Sequence, residues 1–429
     1  MAETVAEIPG LEGPASGGSR AGERAGERVS DRPRESTTPG DLLALIRSGH
    51  AATRSDLRVL TGLSRTAVVS RVNVLVDAGL LRPGIELAST GGRPPGSLVF
   101  NTRAGIVLAA AVGRSRSQVA VFDLAGDELA SSALDHEVGA GPDEVMPIVA
   151  RQLARLLADL TGDDAPLGAV PPPVLGVGLS LPGVVDDERG VSVDTPVMAG
   201  WDGVLLAPYL AEVTAAPLFV ANDADTLARS EYLGHAREIP DLIVLKASTG
   251  IGLGLLADGR IVTGARGGAG DLGHTKVPEA AGRPCRCGDV GCLETIAAGW
   301  SLVARLREQG RDVGHIRDLV ALALGGDAEA KQLLRESGRQ VGELLAVAIN
   351  LLNPAAVVLG GDMAGAYDVF AAGVREAVYS RASALATREL SFLPSTFGDR
   401  AGLVGCAALA LDAVLSPAAV DARLASSAR

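Results

Sequence analysis

Residues 285–294 read Cys285-Arg286-Cys287-Gly288-Asp289-Val290-Gly291-Cys292-Leu293-Glu294, and His274 stands eleven positions ahead in Asp271-Leu272-Gly273-His274. Three of the chain's four cysteines thus fall within eight residues beside an imidazole. That is the donor set of a tetrahedral zinc site filled by three thiolates and one nitrogen, with His274, Cys285, Cys287 and Cys292 as ligands. Disulfide pairing is a poor rival, because Cys285 and Cys287 are too close in sequence to bridge easily and no secretory signal is read. With no protein ligand missing, the expected metal is structural rather than hydrolytic. Cys406, far from the other three, reads as a small buried residue of a C-terminal helix.

The 429 residues suffice for two or three domains with sizeable cores. Hydrophobic residues make up 47% and aromatics only 3%, so the cores must be built mainly from Ala, Val and Leu. No apolar run reaches the roughly 18 residues of a membrane helix, which predicts a cytoplasmic, soluble protein. The net charge of -12 argues at first sight against nucleic acid, but it is unevenly spread. Residues 1–38 carry -2, residues 39–100 carry +3, and the remaining 329 residues carry -13. A small basic module is joined to a large acidic body.

The first 38 residues, rich in Gly, Ser, Pro, Glu and Arg, cannot bury enough apolar surface to offset their ordering entropy and read as a disordered tail. A charged helical extension is the alternative. From Asp41 to Ala78 three short helical patterns follow. Leu42, Leu43, Leu45 and Ile46 supply the first apolar face, and Ser55 can cap a second helix carrying Leu57 and Leu60. Gly62 makes a tight turn, and Ser64 caps a third helix that Gly79 stops. Val68, Val72, Leu75 and Val76 share one side of that helix, which leaves Ser64, Arg65, Thr66, Ser70 and Arg71 for the bases and phosphates of a DNA major groove. Two short strands around Ser89-Thr90-Gly91-Gly92-Arg93-Pro94-Pro95 form a candidate wing presenting Arg93 to the minor groove. Solvated positions on an ordinary three-helix domain, and a plain interdomain hinge, are the rival readings.

From Gly105 onward short apolar strands alternate with helical stretches, the pattern of an α/β body. Ile106–Val112, Val119–Phe122 and Glu128–Leu134 read as a meander. Val174–Leu179, Leu218–Val220, Leu242–Lys246, Leu253–Ala257 and Ala356–Leu359 continue the rhythm.

On the zinc cluster together with Ala221-Asn222-Asp223-Ala224, Ser248-Thr249-Gly250-Ile251-Gly252-Leu253-Gly254 and Asn353-Pro354 leading into Gly360-Gly361, the chain from about Pro39 resembles the ROK family of repressors and sugar kinases, within the actin-like ATPase superfamily. The resemblance implies a winged helix-turn-helix over 39–100, then two ribonuclease H-like lobes over 105–220 and 221–429 with a sugar cleft between them. The C-terminal helix is free to return to the first lobe. It also implies sugar contacts from Asn222, Asp223, Asp271, His274 and Glu294. Gly183 either approaches the ligand by its backbone or serves as a turn glycine. In the family's kinases the aspartate at position 223 takes the proton of the attacking hydroxyl. His274 would bind zinc through one nitrogen and sugar through the other, so that zinc fixes the cleft. Asp271 stands where the family has glutamate, which puts the sugar preference in doubt.

The departure that decides function lies at the first strand. Family kinases open with Asp-x-Gly-x-Thr, and this chain has Ala111-Val112-Gly113-Arg114-Ser115. A methyl group replaces the metal-organising carboxylate, so ATP and magnesium are not expected to support turnover. Gly113, Ser115, Thr249, Gly250, Gly252, Gly360 and Gly361 are then remnants of a nucleotide loop. The expectation is a DNA-binding regulator, a repressor acting as a homodimer or homotetramer on operator DNA, that senses a sugar or sugar derivative. The rivals are an ATP-dependent sugar kinase carrying a DNA-binding domain, and a regulator controlled by a protein partner.

Overall fold

Thr38 accepts the Asp41 amide through its hydroxyl at 3.2 Å while the Asp41 carboxylate takes the Thr38 amide at 2.8 Å, and this reciprocal pair starts α1 (Pro39–Arg47). The computed structural model describes residues 37–86, 96–137, 139–186, 189–193, 198 and 200–427. The tail through residue 36, and Arg93 in the loop assigned as a wing, lie outside the described residues. α2 (Arg54–Thr61) starts as α1 does, from Thr53 and Asp56. Ser55 is therefore not the cap, because position 58 is an arginine and cannot complete the reciprocal pair. Gly62 ends α2 at φ 69°, and Ser64 caps α3 (Arg65–Asp77) by accepting the Ala67 amide. An antiparallel hairpin follows, β1 (Leu81–Glu86) with β2 (Gly96–Phe100).

Leu42, Leu43, Leu57, Val68, Val72 and Leu75 are fully buried and form the core of this module. Leu60, assigned from sequence to the buried face of α2, is 52% exposed, since two turns of helix bring only Leu57 to the core.

The body contains two five-stranded sheets. The first comprises β3 (Ile106–Val112), β4 (Arg116–Asp123), β5 (Glu128–Asp135), β6 (Val174–Leu181) and, after the small hairpin β7 (Val185–Asp186) and β8 (Val191–Ser192), β9 (Leu218–Asn222). Its order is β5-β4-β3-β6-β9, antiparallel through β3 and parallel beyond it. The second comprises β10 (Leu242–Ala247), β11 (Ile251–Ala257), β12 (Arg260–Ile261), β13 (Ala356–Gly360) and β14 (Ser391–Pro394). Its order, β12-β11-β10-β13-β14, repeats the same sequence of antiparallel and parallel neighbours. The same sheet is built twice, and the first runs past the 220/221 boundary to Asn222.

Helices cover both faces of each sheet, as parallel strands buried on two sides require. α4 (Pro142–Asp159) covers one face of the first sheet and α12 (Ala401–Val414) the other. α5 (Asp223–Ser230) lies on one face of the second. Its other face is packed by α6 (Glu294–Ala297), α7 (Gly299–Glu308), α8 (Ile316–Leu324), α9 (Ala328–Leu352), α10 (Tyr367–Arg381) and α11 (Ala384–Thr387). α12 also touches α5: a Cβ on Gly405 would run into the Thr226 carbonyl, and one on Gly178 of β6 into the Cys406 carbonyl. Cys406 is buried there, its thiol pushed up to about 12 by burial. Among the described residues no single helix is long and apolar enough to cross a membrane.

α13 (Pro417–Ser427) closes the chain against its beginning. Val420 is fully buried among Leu42, Leu43 and Val72 in the N-terminal core. The Gly40 amide donates to Asp421 at 2.8 Å, and Arg47 donates to the Leu415 carbonyl at 3.3 Å. Val420→Ala is expected to destabilise the joint by about 2 kcal/mol, from the lost methyl groups and the cavity left. Hydrogen exchange checks it: amides of residues 42–47 should lose protection while those of β10 and β13 keep theirs.

Candidate functional site

The two sheets meet at a cleft of about 800 Å³. Its floor is set by strand ends: Ala111 of β3 pairs in register with Ser180 of β6, and Lys246 of β10 stands between Gly252 of β11 and Gly360 of β13. β9 delivers Asn222 and Asp223 at the start of α5. Of the residues singled out from sequence, Gly113, Ser115, Gly183, Asn222, Asp223, Thr249, Gly250, Gly252, Asp271, His274, Cys287, Glu294, Gly360 and Gly361 line this cleft. Ser64, Arg65, Thr66 and Ser70 lie exposed along α3, and Arg71 is half-buried, donating to the Ala67 carbonyl.

Asn222 is committed to construction. Its carbonyl oxygen accepts the Ala224 amide at 2.7 Å, capping α5, and its amide donates to the Gly183 carbonyl at 2.7 Å. Gly183 needs glycine because its φ is +89°. Asp223, in the favourable first turn of α5, forms an ion pair with Lys246 at 3.0 Å. Burial works against the Lys246 ammonium, but the pull of Asp223, then of Asp362 and Glu294, outweighs it and holds its pKa above the ordinary lysine value. Asp362 in turn accepts from the Ser248 hydroxyl.

Glu294 is buried, with one oxygen accepting the Ile251 amide at 2.7 Å and the other the Trp300 indole N–H at 3.1 Å. Gly250 makes room for it: a Cβ there would lie 2.6 Å from the Glu294 Oε1. Gly254 permits the approach of α5, and Gly361, at φ +85°, that of the β10 backbone. These glycines have a present packing role whatever bound there before.

The His274, Cys285, Cys287 and Cys292 donor atoms all lie within 4.8 Å of one another and could hold a metal. Cys287 and Cys292 sulfurs are 3.7 Å apart and Cys285 sulfur is 3.6 Å from the His274 Nδ1. Ligands about 2.3 Å from a tetrahedral metal sit about 3.7 Å from one another, whereas a disulfide would need about 2 Å. Burial and the neighbouring thiols push the Cys285 thiol up to about 12, so thiolates crowded here want a cation. Lys276 supplies part of that charge, donating to the Cys292 sulfur at 3.1 Å and to Asp289 at 2.6 Å. Glu294 begins two residues after Cys292, and the Leu293 amide is tied to the Thr275 carbonyl beside His274, so the cluster and the cleft share one piece of backbone.

Sequence reasoning missed Lys246, Asp362, Arg286 and Trp300. Lys246 had a signal: a lone charge in the apolar strand Leu242–Ala247 of a chain with only three lysines, two of which line this cleft. Asp362 and Trp300 carry no signal of their own, because long-range packing of α7 and β13 brings them in.

A model of the ROK family matches residues 107–413. The chain is 27% identical over 372 residues to the xylose repressor of Bacillus subtilis, covering 86% of this chain and 94% of that one. Its structure is similar, with a TM-score of 0.73 and 26% identity, to a ROK family transcriptional regulator described as a homologue of the Escherichia coli MLC protein, over 90% of this chain and 98% of that one. A ROK family glucokinase from Streptomyces griseus, solved with glucose and AMPPNP, superimposes with a TM-score of 0.59 and 25% identity on 71% of this chain and 99% of its own. The regulator thus extends over the N-terminal module and the kinase over a smaller share, in keeping with a family match that begins in β3. On that match the chain belongs to the ROK family.

Proposed function

We propose that this protein is a transcriptional repressor that binds operator DNA through its N-terminal module and senses a sugar or sugar derivative in a cleft inherited from a sugar kinase. The observation that carries the reading is the path of α12 and α13. α12 begins beside the cleft, where a Cβ on Gly402 would lie 3.4 Å from that of Ala111. It passes between β6 and α5, and α13 ends in the core of the N-terminal module. A change in lobe closure therefore bears on the module through a continuous, packed route. As a homodimer or homotetramer the protein would convert such a change into the separation of two α3 helices, to which binding at half-sites about one DNA turn apart is sensitive.

The exposed hydroxyls and guanidinium of Ser64, Arg65, Thr66 and Ser70 suit the major groove, with Arg71 beside them and Arg93 offered to the minor groove. In the cleft, Asp223, Asp271, His274 and Glu294 would contact sugar hydroxyls, with Asn222 and Gly183 shaping the wall. ATP turnover is not expected. Ala111 leaves no carboxylate to organise magnesium, and the Lys246 ammonium already engages Asp223, the group that would take the proton. The cysteine cluster would hold structural zinc, which would support the cleft through the backbone that Cys292 shares with Glu294.

Three outcomes are expected. ADP release with a panel of hexoses and N-acetylhexosamines should stay at background, and robust turnover would establish the sugar kinase instead. Arg65→Ala should weaken operator binding by about 1–3 kcal/mol at one base position, whereas a uniform loss over all sequences with a shallower salt slope places Arg65 on phosphate. Elemental analysis should find one zinc per chain, and Cys287→Ser should open residues 283–294 to proteolysis and weaken sugar binding; full sugar binding by metal-free protein would refute the assignment.

A further inference from the structure

A second recess, of about 860 Å³, lies where the N-terminal module meets both lobes, and it shares no lining residue with the cleft. The module contributes Arg47, the last residue of α1, and Phe100, the last of β2. The first lobe contributes the turn after β4. The second lobe contributes Arg229 of α5, Arg237 beyond it and Arg260 of β12. Among the lining residues four arginines face a single carboxylate, Asp412 of α12. A local charge of +3 therefore gathers in a chain whose net charge is -12.

The protein does not neutralise that charge itself. Arg229 pairs with Asp412 at 3.5 Å, and the same carboxylate favours the charge on Arg47, which otherwise donates to the Leu415 carbonyl and stacks on Phe100. Arg237 and Arg260 form no ion pair among the described residues. Carboxylates close by in the sequence are engaged elsewhere. Asp123 accepts the amides of Ala125 and Asp127, Asp241 that of Asp258, and Glu231 both the amide and the hydroxyl of Thr396. Asp127, Glu238 and Asp258 are exposed and stand outside the lining. Arg229 Nε is moreover buried with no acceptor, a donor left for something the protein does not supply. Tyr232 donates to the Gly259 carbonyl and so ties the end of α5 to the turn before Arg260, which fixes the second-lobe wall.

We propose that this recess binds a small polyphosphate anion, one with at least two linked phosphates, and that the occupant joins the N-terminal module to the second lobe. Guanidinium forks match phosphate oxygens, and a lining of net +3 complements a diphosphate better than a single monoanion. Arg47 belongs to the module and Arg229, Arg237 and Arg260 to the body, so an anion shared among them favours one orientation of the module. The effect on DNA affinity rests on the repressor reading above, whereas the binding does not. The joint is thereby a second input to the switch, separate from the sugar cleft.

Calorimetry on the full-length protein in magnesium-free buffer tests this with pyrophosphate, ADP, inorganic phosphate and sulfate. Pyrophosphate or ADP should bind about 10–100-fold more tightly than inorganic phosphate, the gain expected of added charge-assisted hydrogen bonds. Comparison of those two arms tells a free polyphosphate from a nucleotide. Arg237→Gln and Arg260→Gln, at exposed positions on separate segments, should each weaken that binding about tenfold, and either one suffices if the other fails to fold. Arg116→Gln, in the cleft, should leave it unchanged. Saturating pyrophosphate should shift affinity for DNA selected by the protein from a random pool by about fivefold or more, and the two recess variants should lose the shift. Equal, weak binding of all four anions would overturn the site, as would loss of pyrophosphate binding in Arg116→Gln alone. A salt slope of DNA binding reduced by about one in each recess variant, with pyrophosphate binding intact, would place these arginines on DNA phosphates instead. Tight pyrophosphate binding with no shift in DNA affinity would overturn the link to the module. Absence of any selected DNA would remove the repressor reading and leave the anion site standing.

Discussion

The structure depends on α12 being squeezed between two backbones. On one side Gly178 of β6 admits the Cys406 carbonyl, and on the other Gly405 meets the Thr226 carbonyl of α5. Neither position can carry a Cβ without the helix moving away, so small residues here are a condition of the two lobes touching at all. The helix is apolar nearly all round because it has buried contacts on more than one side. One of the two helices that cover the cleft-proximal faces of the sheets thus belongs, by sequence, to the end of the chain, and by packing to its middle.

That geometry explains why the cleft is a good place to detect a ligand. Its walls come from two copies of one sheet, joined through α5 and α12, and its catalytic-type groups stand at the ends of strands where loops can be varied without disturbing the core. Asp223 is held from below by the helix it begins and by Lys246 of the other sheet. Glu294 is held by the amide of Ile251 and the indole of Trp300. Carboxylates fixed in this way would keep their direction in any closure of the cleft, which would change what they face more than how they point.

Much of this was legible in the sequence, and what was missed follows a physical pattern. The strands β3, β10 and β13 are continuous apolar runs and could be read almost residue for residue, since burial on both faces needs no alternation. The cysteine cluster could be read because metal ligands are recognised by type and spacing. The cap of α2 was misplaced by two residues because Ser55 and Thr53 both suit the position, and the choice falls to the partner three residues on, Asp56 rather than Arg58. Asn222 was identified, but its role as a cap and as an anchor for Gly183 depends on a loop 39 residues earlier in the chain. Val420 in the N-terminal core and Trp300 on Glu294 are contacts between distant segments, and no local pattern announces them.

The glycines of Gly250-Ile251-Gly252-Leu253-Gly254 are each required by packing, independently of any nucleotide. A nucleotide loop requires glycine so that backbone can approach phosphate. In this chain Gly250 accommodates Glu294, Gly254 accommodates α5, and Gly252 stands against Ala224. Each is tied to a helix or carboxylate whose displacement would reach the core, so it is held in place with or without ATP chemistry. Ala111 is in the opposite position: it faces the cleft and the small Gly402, and nothing in the core requires a carboxylate there. On the proposed reading, a cleft that had given up phosphoryl transfer would be free to change at position 111 while its glycines, Asp223 and Glu294 stay fixed by packing. On the proposed reading, binding would persist without catalysis, as a switch built on an enzyme's scaffold requires.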